Sequence, residues 1–135
     1  LTFVPGGMGW RDYFRFDLGK TFRDKMILFA LGLTPKATQL SYLDRRYVDL
    51  SGKRGPSLAL AVQLCAGVAA GEVLKLVLGR GRVAPAPWYH QFDVYKDRYV
   101  SGKLRWGNAG WMQRIRFLVA RKWLSKKTEP PPLRA

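Results

Sequence analysis

One cysteine and one histidine are all that 135 residues provide, and acidic groups are scarce, nine Asp and Glu against 24 Lys and Arg. Each shortage excludes something. A structural zinc site needs several Cys or His ligands at restricted spacings, so Cys65 and His90 cannot build one. A lone cysteine rules out a disulfide framework and fits a reducing, cytoplasmic setting. Nucleophilic catalysis of the Ser-His-Asp or Cys-His kind needs a base beside the nucleophile, and His90 is the only imidazole. It falls on the apolar side of an alternating segment, where a packed or hydrogen-bonded structural role is preferred. No N-terminal stretch has the basic, apolar, small-residue order of a signal peptide. The chain begins Leu1-Thr2-Phe3-Val4-Pro5 without Met, which reads as the start of an excised fragment.

What is present is apolar and basic. With 47% hydrophobic residues the chain has enough material for one core. A net charge of +15 attracts anions well beyond the surface. Nucleic acid, acidic lipid and nucleotide phosphate all answer to that field, and charge alone does not choose among them.

Along the chain, Leu1 to Val4 reads as a short strand or strand end, stopped by Pro5-Gly6-Gly7. Thr21 caps an amphipathic helix to Leu31, with Gly32 and Pro35 ending it. Leu40 to Leu50 is ambiguous between a loop and short strands. From Ser57 to Leu78 only Gln63, Glu72 and Lys75 interrupt an apolar or small-residue run, which predicts a largely buried helix. A bilayer span needs about 20 residues with few charges. Glu72 and Lys75 within the run, and Gly79-Arg80-Gly81-Arg82 after it, favour a soluble core helix.

Trp88 to Tyr95 alternates, with Trp88, His90, Phe92 and Val94 on one side and Tyr89, Gln91 and Asp93 on the other. Lys96-Asp97-Arg98 turns the chain into a second strand, Tyr99 to Trp106, giving an antiparallel edge hairpin. After Gly107-Asn108-Ala109-Gly110, Trp111, Ile115, Leu118 and Val119 recur at helical spacing while Arg114, Arg116, Arg121 and Lys122 fall largely on other faces, a basic amphipathic helix. Residues 128–135 form a Pro-rich tail expected to be disordered.

Both glycine-rich turns fail as phosphate cradles. Pro5-Gly6-Gly7-Met8-Gly9 has Asp12 where a third glycine belongs, and Gly79-Arg80-Gly81-Arg82 follows a helix instead of joining a strand to one. Glu72 reads as a partner for Lys75, and Asp93 and Asp97 as turn or ion-pair residues. Aromatic and basic residues interleave from Trp88 to Arg105, as on a base-stacking surface, but strand aromatics are ordinarily packing residues.

The segment Gly55-Pro56-Ser57, the small-residue helix with Ala66, Gly67 and Ala70, then Glu72, Leu74-Lys75, Gly79 and the Phe92-Asp93 strand resemble the late helix and following strand of ThiF/MoeB-type, ubiquitin-activating-enzyme-like adenylyltransferases. The opening FVPGGMGWRDYF and the later GNAGWMQRIR resemble a bacterial ThiF-like branch. The resemblance implies an α/β fold: the C-terminal part of a Rossmann-like mixed sheet with a buried helix, an edge hairpin and a C-terminal basic amphipathic helix. Residues 1–106 would close the adenylation domain, with 107–127 as the basic helix and 128–135 as the tail.

It further implies a full-length protein, typically a homodimer, that uses ATP and magnesium to adenylate the C-terminus of a ubiquitin-like or sulfur-carrier protein. Its nucleotide-binding half and catalytic residues lie outside this chain. Arg45, Arg46, Lys53, Arg54 and Ser57 would border the carrier cleft, although an ordinary solvated loop also accounts for the cations. A second reading, independent of the resemblance, is a basic binding module. In it Arg114, Arg121, Lys122 and Lys126 meet an anionic membrane surface peripherally, with nucleic acid a less favoured target.

Overall fold

A computed structural model of the chain describes residues 1–44, 48 and 59–125. Among them are four α-helices, α1 (Trp10–Phe14), α2 (Phe22–Leu33), α3 (Ala59–Leu78) and α4 (Trp111–Ser125), and two strands, β1 (Trp88–Asp93) and β2 (Arg98–Lys103). Helix and strand are thus combined, as an α/β class requires, with the strands forming a two-stranded antiparallel sheet. Leu1 to Val4 is not a strand. One backbone bond, Ala86 N–H to Thr2 O at 2.7 Å, is too little to build a ladder. The tail, residues 128–135, lies outside the described residues.

Helix α2 begins at a capping box. Thr21 Oγ1 accepts from Asp24 N–H at 3.1 Å, and Asp24 Oδ2 accepts from Thr21 N–H at 3.2 Å, so two donors at the helix start are satisfied reciprocally. The helix runs past Leu31 to Leu33, so Gly32 is inside it and does not stop it. The reason is packing. A Cβ at Gly32 would lie 2.5 Å from the Phe14 ring, and the Tyr13 hydroxyl donates to Gly32 O at 3.1 Å.

Tyr13, Phe14, Ile27, Leu28, Leu31, Ala86 and Tyr89 are the buried apolar residues. Into the α1–α2 side of this core goes the turn Gly107–Ala109. Gly107 has φ +52°, and a Cβ there would stand 2.2 Å from Tyr13 O, so only glycine fits. Asn108, 1% exposed, donates from Nδ2 to Phe14 O at 2.9 Å and to Leu28 O at 2.7 Å. Helix α4 then packs along α2. Described elements on either side of residue 106 therefore share a core.

The hairpin forms where alternation places it, with Tyr89 opposite Gly102 and Asp93 opposite Arg98. The strands are shorter than Trp88 to Tyr95 and Tyr99 to Trp106. Asp93 Oδ1 accepts from Lys96 N–H at 3.2 Å and Asp97 takes φ +47°, which closes the turn early. Tyr89, Gln91 and Asp93 are the buried side, opposite to the apolar set. Most of these polar groups are bonded: Gln91 Oε1 accepts from Lys36 N–H at 3.2 Å, Gln91 Nε2 donates to Thr38 Oγ1 at 2.6 Å, and the Tyr42 hydroxyl donates to Asp93 Oδ1 at 3.1 Å, while Asp93 Oδ2 is buried without a partner. Tyr89 lies flat over Gly102, where a Cβ would come within 2.7 Å of its hydroxyl.

Helix α3 corrects the expectation of a buried helix, since none of its described residues is buried. Leu64, Val68, Gly71, Glu72 and Lys75 form one half-buried stripe, while Val62, Val73, Leu74 and Val77 are more than half exposed. The apolar composition that predicts burial is present; among the described residues, a cover for the remaining faces is not.

Because Asn108 holds two helices by their carbonyls, Asn108→Ala is expected to lower unfolding stability by about 2 kcal/mol. Gly107→Ala, which meets backbone at a positive φ, is expected to cost more. Urea midpoints of the two variants against the parent chain check both.

Candidate functional site

Two concave regions lie between α3 and the hairpin. The larger, about 750 Å³, has walls from Leu60, Leu64 and Cys65 of α3 facing Phe92, Val94 and Tyr95. The smaller, about 420 Å³, is more polar: Glu72, Lys75 and Arg82 face His90, Tyr99 and Ser101. These walls arise from the alternation of β1, which turns His90 and Phe92 toward α3 while Gln91 and Asp93 are buried behind the sheet.

Inside the smaller cleft lie two polar pairs. Lys75 Nζ lies 2.5 Å from Glu72 Oε1, an i,i+3 pair on α3. His90 Nδ1 and the Tyr99 hydroxyl are 2.6 Å apart across the strands, the rings nearly parallel. His90 is therefore a cross-strand hydrogen-bonding residue, half-buried on the α3 side of β1 instead of packed into the core. Cys65 is exposed on α3. Among the described residues no group of three or more His, Cys, Asp or Glu is placed to hold a metal ion.

Burial first, and then the hydrogen bond to Asp93, raises the Tyr42 hydroxyl above its ordinary pKa of 10.0, so it remains a donor in that bond at neutral pH. Tyr89 is likewise raised, mainly by burial.

Neither glycine turn is a phosphate cradle. At Gly9, just ahead of the five-residue α1, a Cβ would lie 3.2 Å from the Asp12 carboxylate, which puts negative charge where a phosphate would have to sit. Gly79 and Gly81 take φ +60° and +79°, and Arg80 N–H bonds Lys75 O at 3.2 Å: a left-handed ending of α3. Neither turn therefore offers the phosphates of ATP a backbone cradle.

The cations singled out in the sequence separate. Arg45, Arg46, Lys53, Arg54, Ser57 and Lys126 lie outside the described residues. Arg114 and Lys122 are exposed on α4. Arg121, also exposed, turns its Nε to within 3.5 Å of Asp24 Oδ1 and so helps fix α4 to the start of α2. Arg116 is an anchor as well: Nη1 donates to Pro35 O and, at 3.1 Å, to Gln113 Oε1. Gln113, 1% exposed, donates from Nε2 to Leu31 O at 3.3 Å. Sequence reasoning missed Asn108 and Gln113 as buried contacts. The signal for the first was the positive-φ residue Gly107 directly before a side-chain amide; for Gln113 helical spacing gave none.

No family model, curated protein or solved structure matches this chain.

The Asp24 carboxyl carries a pH dependence. Burial raises its pKa, but donation from Thr21 and Lys20 and the charge of Arg121 outweigh that, leaving it below its ordinary 3.8. With the folded value below the unfolded one, the unfolded chain binds more protons in between. The stabilisation is therefore complete above the ordinary carboxylate range and is lost as pH falls through the lowered value. Asp24→Asn is expected to melt lower at neutral pH and to show a shallower acid loss than the parent, as followed by circular dichroism. Thr21→Ala, which removes the other half of the capping box, is expected to cost about 1 kcal/mol.

Proposed function

We propose that this chain is the C-terminal, non-catalytic portion of an ATP-dependent ThiF-like adenylyltransferase. The enzyme would activate a carboxylate, the C-terminus of a ubiquitin-like or sulfur-carrier protein. The observation that carries this reading is α3. Twenty residues long, it presents apolar or small side chains around most of its circumference, with one half-buried stripe against the hairpin. At Gly67 and Gly71 a Cβ would meet nothing within 4 Å, so a neighbouring backbone could approach there without steric conflict. A helix of this kind suits the cover of a larger Rossmann-like sheet whose remaining strands come from another part of the protein.

In this reading the nucleotide-binding half supplies the ATP and magnesium contacts, and no step of the chemistry runs through the residues described here. The hairpin and α3 close the sheet. Arg45, Arg46, Lys53, Arg54 and Ser57, which precede α3, border the carrier's cleft, and two copies of the complete protein form a homodimer. A transmembrane α3 is the competing account: its length and mean hydropathy of 1.7 suffice for a span. The Glu72–Lys75 pair and the approach of α3's half-buried stripe to the polar cleft favour a protein cover over lipid.

ATP–pyrophosphate exchange with candidate carrier proteins, run on this chain and on the protein from its complete reading frame, tests the proposal. Exchange confined to the longer protein is expected. Silence in both would overturn it.

A further inference from the structure

Surface helices of folded proteins ordinarily turn an apolar stripe inward and polar residues outward. Helix α4 does this in part, with Ala120, Trp123 and Leu124 beside Met26, Ile27 and Ala30 of α2, and departs from it elsewhere. The side toward α2 includes Gln113 and Arg116, bonded to the carbonyls of Leu31 and Pro35, while Arg121 reaches Asp24. These bonds fix the rotation of the helix. What they leave outside is apolar: Trp111 is 66% exposed, Leu118 60% and Val119 59%, with Ile115 and Met112 beside them. At 3.6 residues per turn, Trp111, Ile115, Leu118 and Lys122 fall in one row, with Arg114 and Arg121 along one edge of it. Just ahead of the helix Trp106 is 62% exposed. Helix α4 contains no Asp or Glu.

We propose that the outer face of α4 docks on the surface of an anionic lipid bilayer, with Trp111, Ile115 and Leu118 entering the headgroup boundary and Arg114 and Lys122 meeting lipid phosphates. An outward apolar row bordered by cations and led by tryptophan is the pattern of a helix that lies in the interface plane. Charge complementarity selects the occupant: +15 on the chain, and no acidic residue in this helix, suit a negatively charged surface. A nucleic acid would use the cations but gives the aliphatic row nothing to bury against. The inference does not depend on the adenylyltransferase reading.

Co-sedimentation of the 135-residue chain with phosphatidylcholine vesicles, with and without phosphatidylglycerol, tests it. Binding is expected only when phosphatidylglycerol is present and to weaken with added salt. Ile115→Asp with Leu118→Asp, both on the exposed face, is expected to reduce that binding by about tenfold or more while leaving the circular dichroism spectrum unchanged. Val73→Asp with Val77→Asp, on exposed positions of α3, is expected to leave it intact. Three results would overturn the proposal: no binding to phosphatidylglycerol vesicles, full binding by the α4 variant, or loss only in the α3 variant, which would place the membrane contact on α3. Equal retention of parent and α4 variant on heparin, together with equal vesicle binding, would reduce the interaction to charge alone and would also overturn it.

Discussion

The side-chain amide of Asn108 is the point on which the helical part of the molecule depends. It bonds a carbonyl at the end of α1 and another in the middle of α2. It can reach both only because Gly107 lets the chain touch the Tyr13 backbone. Such a contact is directional where apolar packing is not, because the two N–H donors of the amide each meet a carbonyl and a displaced amide loses both bonds. The same logic recurs at Gln113, at Gln91 and at the Tyr42–Asp93 bond. Polar groups inside this protein define the positions of its elements, and the small apolar core fills the space between them.

Most elements were legible in the sequence. Thr21 marked the start of α2, the alternation after Pro87 marked β1, and the spacing of Trp111, Ile115 and Leu118 marked α4. What could not be read was which face each element turns inward. Alternation along β1 set His90 and Phe92 on an apolar side, and the opposite side is the buried one, where Thr38, Tyr42 and the Lys36 backbone bond Gln91 and one oxygen of Asp93. Gly32 was read as a stop signal on propensity, whereas the aromatic ring of Phe14, in the preceding helix, decides its role. Long-range hydrogen bonds and ring contacts carry no local periodic signature.

The candidate site was less legible than the fold. The carrier-cleft cations and Ser57 fall outside the described residues, and the lone histidine has the hydrogen-bonded one of the two structural roles read for it, with Tyr99 as the partner. Helix α3 shows the limit in another way. Its composition states that it belongs against something apolar, and composition cannot say whether that is a sheet, a second helix or lipid.

Helix α4 is held by amide and guanidinium groups on backbone carbonyls as well as by Ala120, Trp123 and Leu124 beside Met26, Ile27 and Ala30 of α2. Apolar contacts lose strength on cooling because hydration of the exposed surface carries a large positive heat capacity, and hydrogen bonds of this kind do not share that origin. The attachment of α4 is therefore less cold-sensitive than a purely apolar seam of the same length. Its outward side chains are also free to vary without loosening the core, so the surface chemistry of this helix and its anchorage are under separate control.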